Sequence, residues 1–209
     1  MCALGETGAV WCWGASDEGE VGDGVEALYR DRPSRVPGLV ATAVYAGYDN
    51  TCARLADETL SCWGRNSHGE VRSFLNPVLA PAPVPGVGGV VSVAVGSQFV
   101  CAALRDGTVR CWGYNGQGQL GNGTTTNSVA PVTVTGLTTA LDVTGGYYTS
   151  CARLASTGVQ CWGYNGYGQL GDGTTSNRTT PVSVSGLTGV VEVDAGIYHA
   201  CAVRSDGSA

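Results

Sequence analysis

Short runs rich in valine, alanine and threonine alternate along this chain with polar stretches rich in glycine, asparagine and aspartate. Val90-Val-Ser-Val-Ala-Val-Gly96 is echoed by Leu141-Asp-Val-Thr-Gly-Gly146 and by Val190-Val-Glu-Val-Asp-Ala-Gly196. A second run ends at a cysteine and the Ala-x-Leu after it. A third is Val109-Arg-Cys-Trp112, repeated as Val159-Gln-Cys-Trp162, and a fourth is Pro131-Val-Thr-Val134, repeated as Pro181-Val-Ser-Val184. Runs of this composition, bounded by turn residues, predict strands joined by tight turns. No sustained 3.6-residue periodicity is present, so very little helix is expected.

The four runs recur as a unit of about fifty residues. The unit is marked by Cys2-ALGETGAVW-Cys12-Trp13-Gly14, Cys52-ARLADETLS-Cys62-Trp63-Gly64, Cys101-AALRDGTVR-Cys111-Trp112-Gly113 and Cys151-ARLASTGVQ-Cys161-Trp162-Gly163. Counted from the first cysteine, the repeats are 2–51, 52–100, 101–150 and 151–200, with a fifth begun at 201–209, in one array spanning 1–209. Four short strands per repeat predict the blade of a β-propeller, with about four blades present. A solenoid of parallel β-coils is the alternative, but its repeats are shorter. A blade is covered on both faces by its neighbours, and strands apolar on both sides fit that arrangement.

The spacing within each cysteine pair fixes a hairpin register. If Cys101 faces Cys111, then Ala102 faces Arg110, Ala103 faces Val109 and Leu104 faces Thr108. What remains is a three-residue turn, Arg105-Asp106-Gly107, with glycine at the left-handed position. Gly8 and Gly207 match that position, Gly158 lies one residue later, and the second repeat offers only Asp57-Glu58, so a different or strained turn is expected there. Facing cysteines in such a pair come within disulfide range. Reduced, buried cysteines are the competing reading. Identical spacing in Cys2/Cys12, Cys52/Cys62, Cys101/Cys111 and Cys151/Cys161 favours bridges, with Cys201 unpaired and its partner expected beyond residue 209. Bridges imply an oxidising compartment: the periplasm, the cell surface or the medium.

The remaining composition removes several function classes. The chain carries a formal charge of −6, its eleven cations are all arginine, and no basic patch stands out, so nucleic acid is not an expected partner. No apolar run reaches the ~20 residues of a membrane-spanning helix. The first residues already lie inside a repeat and the last inside a hairpin, so the chain is expected to be part of a longer polypeptide. With two histidines and no CxxC, no metal site is expected. Gly116-Gln-Gly-Gln-Leu-Gly121 matches the dinucleotide fingerprint, but Asn-Gly-Thr-Thr follows it where a helix should open, so the phosphate-binding mechanism is missing and no cofactor is expected.

Trp112-Gly-Tyr-Asn-Gly-Gln-Gly-Gln-Leu-Gly-Asn-Gly123 and Trp162-Gly-Tyr-Asn-Gly-Tyr-Gly-Gln-Leu-Gly-Asp-Gly173 resemble the regulator of chromosome condensation repeat. The first copy has drifted, and the second is degenerate beyond Gly69-Glu70-Val71, where Arg72 stands in place of a glycine. The resemblance implies a propeller, most often of about seven blades, of which this chain holds a part. The paired cysteines are similar to those of exported bacterial relatives and depart from the nuclear founding members. Guanine-nucleotide exchange and chromatin binding, the founding activities, are therefore not expected to transfer.

The leading functional expectation is a non-catalytic exported scaffold that binds a protein or a surface ligand. Tyr114, Tyr164 and Tyr167 are the candidate contact residues, because tyrosine is enriched at interfaces and these stand at variable loop positions. The alternative is a propeller enzyme acting on glycans or peptides. It would need converging carboxylates, and Asp142, Glu192 and Asp194 lie on first-strand segments.

Overall fold

The structure is a computed structural model and describes residues 1–71 and 76–209. Arg72, expected to disturb the second loop, lies outside the described residues. Among these there are seventeen β-strands and no α-helix.

The first sheet holds β1 (Cys2–Leu4), β2 (Ala9–Ala15) and β3 (Tyr29–Val40) in that order. Three complete four-stranded antiparallel meanders follow. They are β4 (Ala43–Ala46), β5 (Asn50–Arg54), β6 (Leu60–Gly64) and β7 (Val78–Pro83); then β8 (Val90–Val95), β9 (Phe99–Leu104), β10 (Val109–Gly113) and β11 (Ser128–Thr133); then β12 (Ala140–Gly145), β13 (Thr149–Leu154), β14 (Val159–Gly163) and β15 (Arg178–Ser183). The last sheet pairs β16 (Val190–Ala195) with β17 (Ala200–Arg204). Each meander opens with the valine-rich strand that precedes the first cysteine.

The hairpin register is the one the cysteine spacing dictates. Cys101 faces Cys111, Ala102 faces Arg110 and Ala103 faces Val109, and the other three pairs face each other in the same way. All four pairs are disulfides, with Cα atoms 4.0 to 4.1 Å apart, and Cys201 is a free thiol. Each bridge closes a short loop, worth at most about 3 kcal/mol in the chain-entropy account.

The turn also repeats. Gly107 sits at φ +80° and donates its N–H to the Leu104 carbonyl at 2.9 Å. In the second repeat Glu58 adopts φ 62° and makes the equivalent bond to Leu55 at 3.0 Å. In the fourth, Thr157 and not Gly158 takes the left-handed position, at φ 64°. The turn type is therefore common to these repeats, and those without glycine hold it under strain. For the β-branched Thr157 that strain is of order 1–2 kcal/mol.

Sheet-to-sheet packing makes the core. Trp63, Trp112 and Trp162 are fully buried, beside bridged cysteines and valines from adjacent sheets. Indoles of this size dominate such an interior. The Val-x-Cys-Trp strands are apolar on both sides because each lies between two neighbouring sheets.

Candidate functional site

Residues at equivalent places in four sheets surround one cavity of about 230 Å³. Ala46-Gly47-Tyr48, Val95-Gly96-Ser97, Gly145-Gly146-Tyr147 and Ala195-Gly196-Ile197 line it, all at the ends of the first strands. Small residues are required where four strand ends converge. A Cβ on Gly146 would stand 2.1 Å from the Gly196 carbonyl oxygen.

The loop after each Trp-Gly reaches the same end of the molecule. The backbone N–H of Arg65 donates to the Asp49 carbonyl at 2.8 Å, that of Tyr114 to Gln98 at 2.8 Å and that of Tyr164 to Tyr148 at 2.9 Å. Two loops of each of these three sheets thus meet beside the cavity, and in the β12–β15 sheet both carry tyrosine, Tyr147 and Tyr148 in one and Tyr164 and Tyr167 in the other.

The rings there touch one another. Tyr48 lies 6.0 Å from Tyr147, and Tyr147 lies 4.3 Å from Tyr148 and 6.1 Å from Tyr198. Tyr148 meets Tyr114 at 5.4 Å, and Tyr114 meets His68 at 5.0 Å. On the other side Tyr198 lies 5.0 Å from Tyr167 and 6.5 Å from Tyr164, and the last two are 6.1 Å apart. These are the edge-on and tilted separations that aromatic quadrupoles favour. Tyr167 is 69% exposed, Tyr48 65% and Tyr198 47%, so the group presents aromatic surface to solvent. Burial, reinforced by the neighbouring Tyr147 and Tyr114, pushes the Tyr148 phenol up to about 12. It remains a neutral hydrogen-bonding group across the physiological range.

The three tyrosines singled out from the loop motif, Tyr114, Tyr164 and Tyr167, all belong to this group. Sequence reasoning missed Tyr48, Tyr147, Tyr148 and Tyr198. Their signal is a tyrosine three or four residues before the first cysteine, after the Gly that ends the first strand. It shows only when repeats are aligned by strand.

The loops are held by buried amide side chains. Asn115, fully buried, accepts the Leu120 N–H at 2.9 Å and donates to the Thr124 and Thr126 carbonyls, each at 3.0 Å. Asn165 repeats this with Leu170, Thr174 and Ser176. Ser16 takes the place in the first repeat, and its buried hydroxyl has no hydrogen-bond partner among the described residues. The segment 116–121 is therefore a tied pair of turns, with Gly118 and Gly121 at positive φ. Asp172 accepts Thr174 at 2.8 Å and Arg178 at 2.7 Å, and these bonds hold its carboxyl down at about 2.

Glu70 is the one fully buried carboxylate among the described residues. It accepts the His68 N–H at 2.7 Å, as Gln119 accepts that of Gln117 at 2.9 Å. Burial raises its pKa above the usual carboxylate value, against the pull of these backbone hydrogen bonds and of His68 and Arg65.

The carboxylates considered for catalysis are occupied separately. Asp142 accepts Arg153 Nε at 2.8 Å, while Asp194 accepts Thr144 at 2.9 Å. Glu192 lies on β16 and is exposed. No group of three or more His, Cys, Asp or Glu suited to a metal ion occurs among the described residues.

The family model for the regulator of chromosome condensation (RCC1) repeat matches residues 7–54, 106–153 and 158–203, and a second model of the same repeat matches 41–70 and 90–119. Among solved structures, human WBSCR16 is 23% identical with a TM-score of 0.88, over 98% of this chain and 55% of its own. Prp20p from Saccharomyces cerevisiae is 18% identical with a TM-score of 0.84, over 96% and 52%. The ectodomain of the Physcomitrella patens receptor kinase CR4 is 23% identical with a TM-score of 0.62, over 100% and 48%. The chain spans about half the length of these structures, and identities this low establish the fold alone. No curated protein sequence matches the chain.

Proposed function

The chain belongs to the regulator of chromosome condensation repeat family, and from that membership we propose that it is a non-catalytic, exported propeller scaffold that binds a partner protein through its tyrosine surface. The observation that carries the reading is the continuous contact of seven tyrosines and His68 beside the four-sheet cavity. Tyrosine supplies large, rigid contact area with a polar tip, which suits a protein interface. The chain's similarity to Prp20p, whose structure was described together with its binding to Gsp1p and histones, supports protein binding as a use of the fold. An acidic chain of net charge −6 does not complement the same partners as a basic one, and no nucleic acid is proposed. Four disulfides support an oxidising compartment. No helix among the described residues is long and apolar enough to cross a membrane.

The test is a pull-down from periplasm or culture medium at micromolar protein. A captured protein that is lost with Tyr147→Ser/Tyr198→Ser, while the disulfides and melting temperature are kept, supports the reading. Capture of nothing, or capture indifferent to both substitutions, overturns it.

A further inference from the structure

The surface that carries the tyrosines also carries carboxylates. Tyr48, Tyr147, Tyr148, Tyr114 and His68 form a row in which each ring touches the next. Asp49 follows Tyr48 in the chain, and the loop of Asp17, Glu18 and Glu20 packs beside it. Contacts internal to the array hold that loop: the Glu20 carbonyl accepts Trp63 Nε1 at 2.8 Å and Thr51 Oγ1 at 3.2 Å. Asp17 is exposed, and Glu18 and Glu20 are half-buried. None of the three makes an ion pair among the described residues. Burial raises the Glu20 carboxyl above its usual pKa, against the pull of two backbone N–H groups, and the charges of Asp17 and Asp49 add to the rise. Acidic groups are thus crowded beside the rings.

Arg65 shows how a cation fits there. Its guanidinium donates to Asp49 Oδ2 at 2.9 Å and to Ser67 Oγ at 2.8 Å. The Asp49 hydrogen bond holds it above the usual arginine pKa, and the charges of Glu18 and Glu70 add to that pull. Its own charge reaches the Tyr148 phenol. One arginine therefore answers Asp49 beside the tyrosine row, while Asp17, Glu18 and Glu20 stay unanswered. At the other end of the row, fully buried Glu70 lies 3.6 Å from His68 Nδ1. One of its carboxyl oxygens has no hydrogen-bond partner among the described residues. Carboxyls thus flank the row at both ends. The complement of such a surface is positive. A guanidinium suits it better than an ammonium, because its plane stacks on an aromatic face while its edge forks to a carboxylate.

We propose that the partner of the tyrosine surface is a basic protein segment, whose arginines stack on Tyr48 and Tyr147 while pairing with Asp17, Glu18 and Glu20. The inference rests on the tyrosine surface being a protein interface and adds the chemistry of what it binds. The rings supply flat contact area. The carboxylates steer a basic segment inward and repel an acidic one.

The test measures binding of the full chain to fluorescent peptides in which glycine alternates with arginine, lysine or citrulline, the uncharged isostere of arginine. Arginine is expected to bind best and citrulline worst, about tenfold apart, with the difference shrinking as salt rises. Asp17→Asn/Glu18→Gln/Glu20→Gln, with the melting temperature and four bridges kept, is expected to remove the preference for charge. Tyr48→Ser/Tyr147→Ser is expected to remove the preference for arginine over lysine. Equal binding of arginine and citrulline, or binding unchanged by the acid substitutions, overturns the proposal. The same acid substitutions are carried into the pull-down. A captured protein that needs the tyrosines but not the carboxylates overturns the basic partner and leaves the tyrosine interface standing. Capture that needs neither overturns both.

Discussion

Glu70 shows how one side chain departs from its repeat without breaking it. Gln119 and Gln169 fill the same loop position with a neutral amide, and each accepts a backbone N–H two residues earlier. Glu70 keeps that bond but buries a carboxylate. Its folded pKa is raised above the unfolded value, so the folded state binds the proton more tightly. The stability this provides is fully present below the unfolded pKa and is lost as pH rises through the folded one. Glu70→Gln is therefore expected to raise the melting temperature at pH 7 and to leave it nearly unchanged at pH 4. Thermal melts of both proteins across that range check the sign. A gain independent of pH would exclude charge burial as the cause.

At the scale of the element, the hairpin and the loop differ in what holds them. The hairpin is specified locally: two cysteines ten residues apart and a left-handed turn residue leave one register. The turn persists even where Glu58 or Thr157 replaces glycine, because the bridge and the sheet over-determine it. The loop depends on buried amides, and Asn165 makes the most of these bonds. Asn165→Ala leaves the Leu170 N–H and two carbonyls without their partner, and each unmet buried group costs about 1–3 kcal/mol. A loss of about 2–3 kcal/mol is expected in urea unfolding. A change below about 0.5 kcal/mol would mean that water replaces the amide. The strand order and this hairpin were legible in the sequence because valine runs, cysteine spacing and turn residues act over a few positions, although the fourth strand, read as Pro131–Val134 and Pro181–Val184, begins three residues earlier, at Ser128 and Arg178. The asparagine knot was not, because its acceptors lie nine to eleven residues away, in a stretch with no strand pattern.

For the whole molecule, compartment and binding depend on features spread over several repeats. Thiol counting by mass shift, with and without reductant, is expected to give four bridges and one free thiol per chain in the native protein. Nine reactive thiols without reductant would place the protein in a reducing compartment and revive an intracellular role. The tyrosine surface also belongs to this scale, since Tyr114 of the β8–β11 sheet and Tyr148 of the β12–β15 sheet meet only where the two sheets pack, with the Ser97 N–H donating to the Tyr147 carbonyl at 3.4 Å.

Two periods in the sequence, about fifty residues between repeats and ten within each cysteine pair, determined the four-stranded unit and the bridge pairing, while the loop motif after each Trp-Gly carried the family resemblance. They are local or strictly repeated, so one chain displays them without any partner. Only the tertiary structure decided that seven tyrosines from separate repeats share a surface, that Glu70 lies fully buried where the next two repeats carry Gln119 and Gln169, and that three buried indoles each donate to the loop of the preceding sheet. Each of these depends on how one sheet is placed against the next. That placement is set by side-chain packing between repeats, which the spacing of residues along the chain does not encode.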